Sequence, residues 1–177
     1  MKTKLVVNCL AIFALILVSC SQNASKTSTT KMTVEKIQTI EKTLFDEGNV
    51  LNLVEAERAI EAYRAYVKEN HADTLAPYYL FKAIDVSSGT TNPERTLTMI
   101  DELIAQYPNY EKAPLALFMK GFIYETQVEN LFEAQKSYEE FIKKYPNDPL
   151  VGDAIVMINN LGKSPEELIR EFEKMNE

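Results

Sequence analysis

The chain has 177 residues, with 19 Lys and Arg against 26 Asp and Glu, a formal charge of −7, and one histidine, two cysteines and no tryptophan. A net negative chain gives nucleic acid no electrostatic footing, because phosphate binding is carried by Lys and Arg. A single histidine excludes metal sites built on several imidazoles, and scarce glycine with abundant Ala, Glu, Lys, Leu and Ile favours helices.

In chain order, Lys2 and Lys4 precede an apolar run over residues 5–18 that only Asn8 interrupts. A basic segment followed by an apolar one has the form of a secretory signal. The run is short for a membrane span, which needs roughly 20 residues, and it has no polar face of the kind an amphipathic core helix shows. It ends in Leu17-Val18-Ser19-Cys20. That tetrapeptide resembles the lipobox of bacterial lipoproteins.

The resemblance implies acylation of the Cys20 thiol, cleavage between Ser19 and Cys20, and acylation of the new amine. It divides the chain into a signal peptide over 1–19, a lipidated cysteine and tether over 20–33, and a folded domain over 34–177. Cys9 would leave with the signal and Cys20 would carry lipid, so disulfides and thiol catalysis drop out. Ser21 stands where the lipoprotein family's inner-membrane retention signal has Asp, which implies an outer-membrane anchor facing the periplasm. Between Ser21 and Thr33 only Ala24 and Met32 are apolar, too little to order a segment. Such a coil would hold the domain roughly 20 Å from its anchor. Without Lys2 and Lys4 the mature chain of 158 residues has 17 basic and 26 acidic side chains, a charge of −9.

Beyond the tether, patterns and caps predict eight helices near 34–47, 52–70, 74–87, 93–107, 111–126, 131–145, 149–161 and 165–175. Asn92-Pro93 is an N-cap with proline at the first helical position. Asn52 with Glu55 and Asn130 with Glu133 have capping-box spacing, and Ser164-Pro165-Glu166-Glu167 opens the last helix in the same way. Three segments end alike. Ala59, Thr96 and Ala134 form one column, Tyr63, Ile100 and Tyr138 a second, Tyr66, Leu103 and Phe141 a third, and His71, Pro108 and Pro146 close the unit. Offsets of 37 and then 38 hold across all four columns, and steps of four and three put the first three columns on one helical face. In the preceding helices Tyr79, Ala83 and Val86 align with Leu117, Gly121 and Tyr124 at an offset of 38. Gly121 in mid-helix costs about 1 kcal/mol relative to Ala, so it predicts a contact that admits no side chain.

Leu117, Gly121, Tyr124, Ala134, Tyr138, Phe141 and Pro146 resemble the tetratricopeptide repeat (TPR) signature, with one residue inserted at the turn and Lys120 where the first-helix Leu belongs. The resemblance covers about 34–161. It implies an all-α, right-handed TPR-like helical-hairpin solenoid. The last helix would close the exposed end with a stripe of Leu168, Ile169, Phe172 and Met175. With the lipobox, Tyr145-Pro146-Asn147-Asp148-Pro149 is similar to TPR lipoproteins of bacterial envelopes.

The resemblance also implies a function. First helices line the concave face of such solenoids, so Tyr78, Phe81, Lys82, Phe118, Phe122 and Glu125 are the candidate partner-binding residues. The expected partner is an envelope protein or peptide, with membrane contact only through the lipid. No catalytic residue, metal or cofactor is expected. The carboxylates suit exposed faces and first helical turns, and no phosphate loop, zinc spacing or calcium loop is visible. A structural subunit of an envelope complex and a hydrolase with a carboxylate pair are the alternatives.

Overall fold

The computed structural model describes residues 31–45 and 47–175, apart from the side chains of Phe172 and Met175. The expected signal peptide, Cys20 and the tether as far as residue 30 lie outside the described residues. So do the Phe172 and Met175 side chains of the expected C-terminal stripe. Among the described residues there are eight α-helices: α1 Val34–Glu41, α2 Leu53–Glu69, α3 Ala76–Ser88, α4 Pro93–Gln106, α5 Ala113–Thr126, α6 Leu131–Lys144, α7 Val151–Asn160 and α8 Pro165–Met175.

Two start signals alternate along the chain. Asn52, Asn92 and Asn130 open α2, α4 and α6, each Oδ1 accepting from an amide three residues on at 3.1–3.2 Å. Such a cap contributes about 1 kcal/mol. The full reciprocal box forms at α8, where the Glu167 amide donates to Ser164 Oγ at 3.2 Å and the Ser164 amide to Glu167 Oε2 at 2.8 Å. At α2 and α6 the third-position glutamates turn elsewhere, Glu55 to Thr43 and Arg58 and Glu133 to Lys136.

The first helices α3, α5 and α7 instead grow out of one turn used three times. The amides of Asp73, Tyr110 and Asp148 donate to the carbonyls of Asn70, Tyr107 and Tyr145 at 2.8–3.0 Å. In two copies an aspartate tightens the turn: Asp73 and Asp148 accept from the amides of Leu75 and Leu150, both at 2.9 Å.

Each helix from α1 to α7 packs on its neighbours in the chain, most extensively α2 on α3 and α5 on α6, and α3 also touches α5. Mostly nearest-neighbour packing is the signature of a solenoid. All nine residues of the first three repeat columns are buried, while His71, Pro108 and Pro146 lie exposed at the helix ends. The apolar interior forms a larger cluster around Ile60, Tyr63, Leu80 and Ile100 and a smaller one around Leu117, Tyr138 and Phe141. Ile104 and Tyr124 pack against both.

The structure corrects two expectations and qualifies a third. The first helix ends at Glu41 rather than near residue 47. Its chain reverses through Asn49, in the left-handed region at φ 58°, and an isolated antiparallel bridge joins Phe45 to Leu51. The reversal brings Leu44 into the core and closes with the Asn52 amide donating to the Leu44 carbonyl at 2.9 Å.

The second correction concerns register. α3 and α5 begin 37 residues apart, at Ala76 and Ala113, whereas α4 and α6 begin 38 apart. The extra residue therefore enters at the C-terminal end of the first helix, since α5 has 14 residues and α3 has 13, just ahead of Glu129 at φ 56°. Leu80 matches Leu117 and Ile84 matches Gly121, all four buried. The offset of 38 for the first helices is one residue out. Finally, α8 forms as expected but its apolar face is only partly covered, with Leu168 half-buried and Ile169 58% exposed.

Candidate functional site

One face of the first helices α3 and α5 carries three exposed aromatic or apolar side chains, Tyr78, Leu115 and Phe122. On α3, Tyr78, Lys82 and Asp85 follow one another at steps of four and three, so they share one side of the helix. On α5 the positions 37 residues later are Leu115, Met119 and Phe122. Tyr78 and Phe122 are 42% and 47% exposed, Leu115 and Asp85 are also exposed, and Lys82 and Met119 are half-buried. The α3 part is polar and charged, whereas the α5 part is apolar.

Glu41 of α1 organises the polar part. It pairs with the Lys82 ammonium and accepts the Tyr63 hydroxyl at 2.9 Å. The ammonium also lies 5.5 and 5.6 Å from the ring centres of Tyr63 and Tyr78, within cation–π range. Burial works against a charged Lys82, but the hydrogen bond and charge of Glu41 outweigh it and hold the ammonium above its usual range. Burial, and then Glu41, push the Tyr63 hydroxyl far above a free phenol. Lys82 is thus a fixed cation under an exposed Tyr78 ring.

The six expected partner-binding residues divide. Tyr78, Lys82 and Phe122 belong to this face. Phe81 is 7% exposed and packs on the Tyr110 ring, with Lys112 over its other side at 4.9 Å. Phe118 is half-buried between α5 and α6, its ring 5.5 Å from Tyr138 and 5.6 Å from Phe141. Glu125 accepts the hydroxyl of buried Tyr138 at 3.0 Å. Burial, and then Glu125, raise the Tyr138 hydroxyl far above a free phenol.

Phe81 and Phe118 are therefore core residues, and Glu125 supports one. Phe81 and Phe118 stand one position before Lys82 and Met119 of the exposed steps, whereas Glu125 continues those steps from Phe122 but is turned to the Tyr138 hydroxyl. Asp85, Leu115 and Met119 belong to the stripe and were missed; that stepping was the signal which could have found them.

Among the described residues no group of three His, Cys, Asp or Glu side chains is placed to hold a metal ion, and no helix is long and apolar enough to cross a membrane.

Residues 115–148 match the family pattern of the tetratricopeptide repeat, covering α5, α6 and the turn that follows. No curated protein matches the chain. The match falls on the hairpin whose columns are most complete, and the chain carries TPR-like repeats in an all-α solenoid.

Proposed function

We propose that this protein is a lipid-anchored scaffold of the bacterial envelope that holds a protein or peptide partner against its first-helix face. The observation that carries the binding face is the exposed stripe of Tyr78, Leu115 and Phe122 on a rigid repeat framework. Repeat solenoids present extended surfaces of this sort, and exposed aromatics in a mixed polar setting suit partner recognition. The anchor rests on the sequence 17–20 after a basic and apolar run, and Ser21 supports an outer-membrane position facing the periplasm. Anchoring would add local concentration to whatever affinity the face provides. The scaffold acts without catalysis of its own.

A photocrosslinking residue placed at Tyr78 or Phe122 in living cells should capture a discrete partner band, and one placed at exposed Glu139 should not. Equal capture from both positions would remove the first-helix face from consideration. For the anchor, Cys20→Ser should give uncleaved or released protein; a mature, membrane-bound mutant would defeat that reading. A second reading, a structural subunit that docks through one end, is favoured by Phe132, Ile155, Val156 and Ile169, all exposed on the last three helices.

A further inference from the structure

Between α2 and α4 lies an open cleft of about 670 Å³, within the range of small-molecule and peptide sites. Its apolar lining is half-buried Ala65 of α2, backed by the buried Ile60 and Val67 of α2 and Leu80 of α3. Leu80 is two positions from both Tyr78 and Lys82, about 200° around a helix. The cleft therefore opens on the other side of α3 from the stripe proposed above.

Two ion pairs cross it, Glu57 with Arg95 and Arg64 with Glu102, each 38 residues apart, so the two helices run parallel. The first is closed. Arg95 meets both Glu57 oxygens at 2.5 and 2.8 Å and reaches Thr90 at 3.3 Å. The second is loose, at 3.8 Å, with the Arg64 side chain 46% exposed. Beyond it Lys68 lies one turn along α2 from Arg64, His71 follows in the turn after the helix, and Gln106 of α4 also lines this end. Among the described residues neither Lys68 nor His71 has a side-chain hydrogen bond or ion pair. Glu61, the other acid here, lies a turn back toward Arg95, whose charge it supports.

We propose that this cleft is a second binding site, for an acidic peptide segment. One apolar side chain of the peptide rests on half-buried Ala65 and the aliphatic stems of Arg64 and Lys68, above the buried Ile60, Val67 and Leu80. Its carboxylates meet the free donors of Arg64 and the Lys68 ammonium, with His71 and Gln106 completing the donor set. The C-terminal dipole of α2 opposes an anion at this end. Charge-assisted hydrogen bonds to two cations are the larger effect. The protein then holds two ligands on opposite sides of one repeat.

The test uses a fluorescein-labelled ten-residue peptide, one leucine followed by three glutamates, and a twin with three glutamines. Fluorescence polarisation should show saturable binding of the acidic peptide and at least tenfold weaker binding of the twin. Arg64→Ala with Lys68→Ala, both at exposed positions, should weaken the acidic peptide at least tenfold. Tyr78→Ala with Phe122→Ala should leave it unchanged, which separates this site from the first-helix face. His71 is the only histidine, so its imidazole proton resonance is a unique reporter and should shift on binding. No saturable binding, equal binding of the twin, full binding by the Arg64 and Lys68 double mutant, or an unmoved His71 resonance would each overturn the proposal.

Discussion

The hairpins α3–α4 and α5–α6 solve one packing problem with different chemistry. In α5–α6 the first helix has Gly121, and the second lays Tyr138 against it so closely that a Cβ would stand 2.5 Å from the ring. In α3–α4 the matching positions are Ile84 and Ile100, both fully buried. A very small and a very large residue fill the space that two medium ones fill elsewhere. The small column differs as well. Ala134 is apolar, whereas Thr96 shares a buried 2.7 Å hydrogen bond with Ser87 and donates to the Asn92 carbonyl at 3.3 Å. A repeat column thus fixes volume and satisfied polarity together, and does not fix a residue type.

The largest expected effect comes from breaking the aromatic solution. Tyr138→Ala should cost roughly 3–5 kcal/mol, as large aromatic truncations in cores do. Ile100→Ala should cost about 2–5 kcal/mol at the matching position. Denaturant unfolding of both variants checks the pair, and a Tyr138→Ala loss under about 1 kcal/mol would mean that the ring is not the support of its hairpin.

Gly121→Ala comes next. Overpacking against a locked ring costs about 1–3 kcal/mol, while the helix gains up to about 1 kcal/mol from losing glycine. A Cβ only 2.5 Å from the ring puts the overpacking in the upper part of that range, so the net is a loss of about 1–2 kcal/mol. Adding Tyr138→Leu should recover part of it by making room. A neutral or stabilising Gly121→Ala would show that the Tyr138 ring can move aside.

The polar solution of α3–α4 has its own test. Thr96→Val keeps the shape but takes away the Thr96 oxygen from the buried Ser87 hydroxyl, leaving it only the Arg95 Nε donor at 3.4 Å, which should cost about 1–3 kcal/mol. Ser87→Ala with Thr96→Val removes both partners and should cost clearly less than the sum of the single changes. Additive losses would show that the two hydroxyls act independently.

Much of this was legible in the sequence because it depends on local chemistry. Asparagine caps, Asn92-Pro93 and the closing prolines locate the helices, and steps of four and three pick out the buried columns. Gly121 announced a close contact, and Tyr138 makes it. What escaped depends on three-dimensional phase. The added residue could precede the first helix or extend its end, and only the common start at Ala76 and Ala113 with the longer α5 decides. Phe118 and Phe122 are both first-helix phenylalanines, yet a step of four separates the α6 interface from the exposed stripe. The early end of α1 rests on the left-handed Asn49 and on Leu44 returning to the core, and neither is written in a periodicity. The second-helix cleft was missed because Arg64, Lys68 and His71 read in one dimension as a solvated face.

Alkaline pH acts more gently, through Tyr138 on α6 and through Tyr63 on α2, whereas Ile100 of α4 has nothing to titrate. Tyr63 and Tyr138 are held neutral, their hydroxyls raised by burial and by Glu41 and Glu125. Unfolded tyrosine ionises near pH 10, so the unfolded chain releases protons there while the folded one keeps them. The stabilisation is therefore whole below about pH 10 and declines as pH rises further. Melting temperature should stay level from about pH 7 to 9 and fall above about pH 10. Tyr138→Phe should blunt the fall, while Ile100→Val should leave it alone. A melting curve unchanged up to about pH 11 would contradict a buried neutral pair.

The smallest effect should come from the closed ion pair over the cleft. Arg95 binds Glu57 through two nitrogens, but the Glu57 side chain is 49% exposed, so water and salt screen the pair. The hydrogen bond from Arg95 holds the Glu57 carboxyl below its usual range. Its small contribution is thus present above the ordinary glutamate range, near pH 4.3, and fades as pH falls through the lowered value. Glu57→Gln should cost about 0–1 kcal/mol at neutral pH and less in 1 M salt. Compared with the loss at Tyr138, that ranks the repeat interior far above the ion pairs across its outer face. A loss of more than about 2 kcal/mol in Glu57→Gln would reverse the ranking. It would make this pair the clasp between α2 and α4, with Arg95 held in the cleft wall by its carboxylate partner rather than by its longer hydrogen bonds to Ser87 Oγ at 3.4 Å and Thr90 Oγ1 at 3.3 Å.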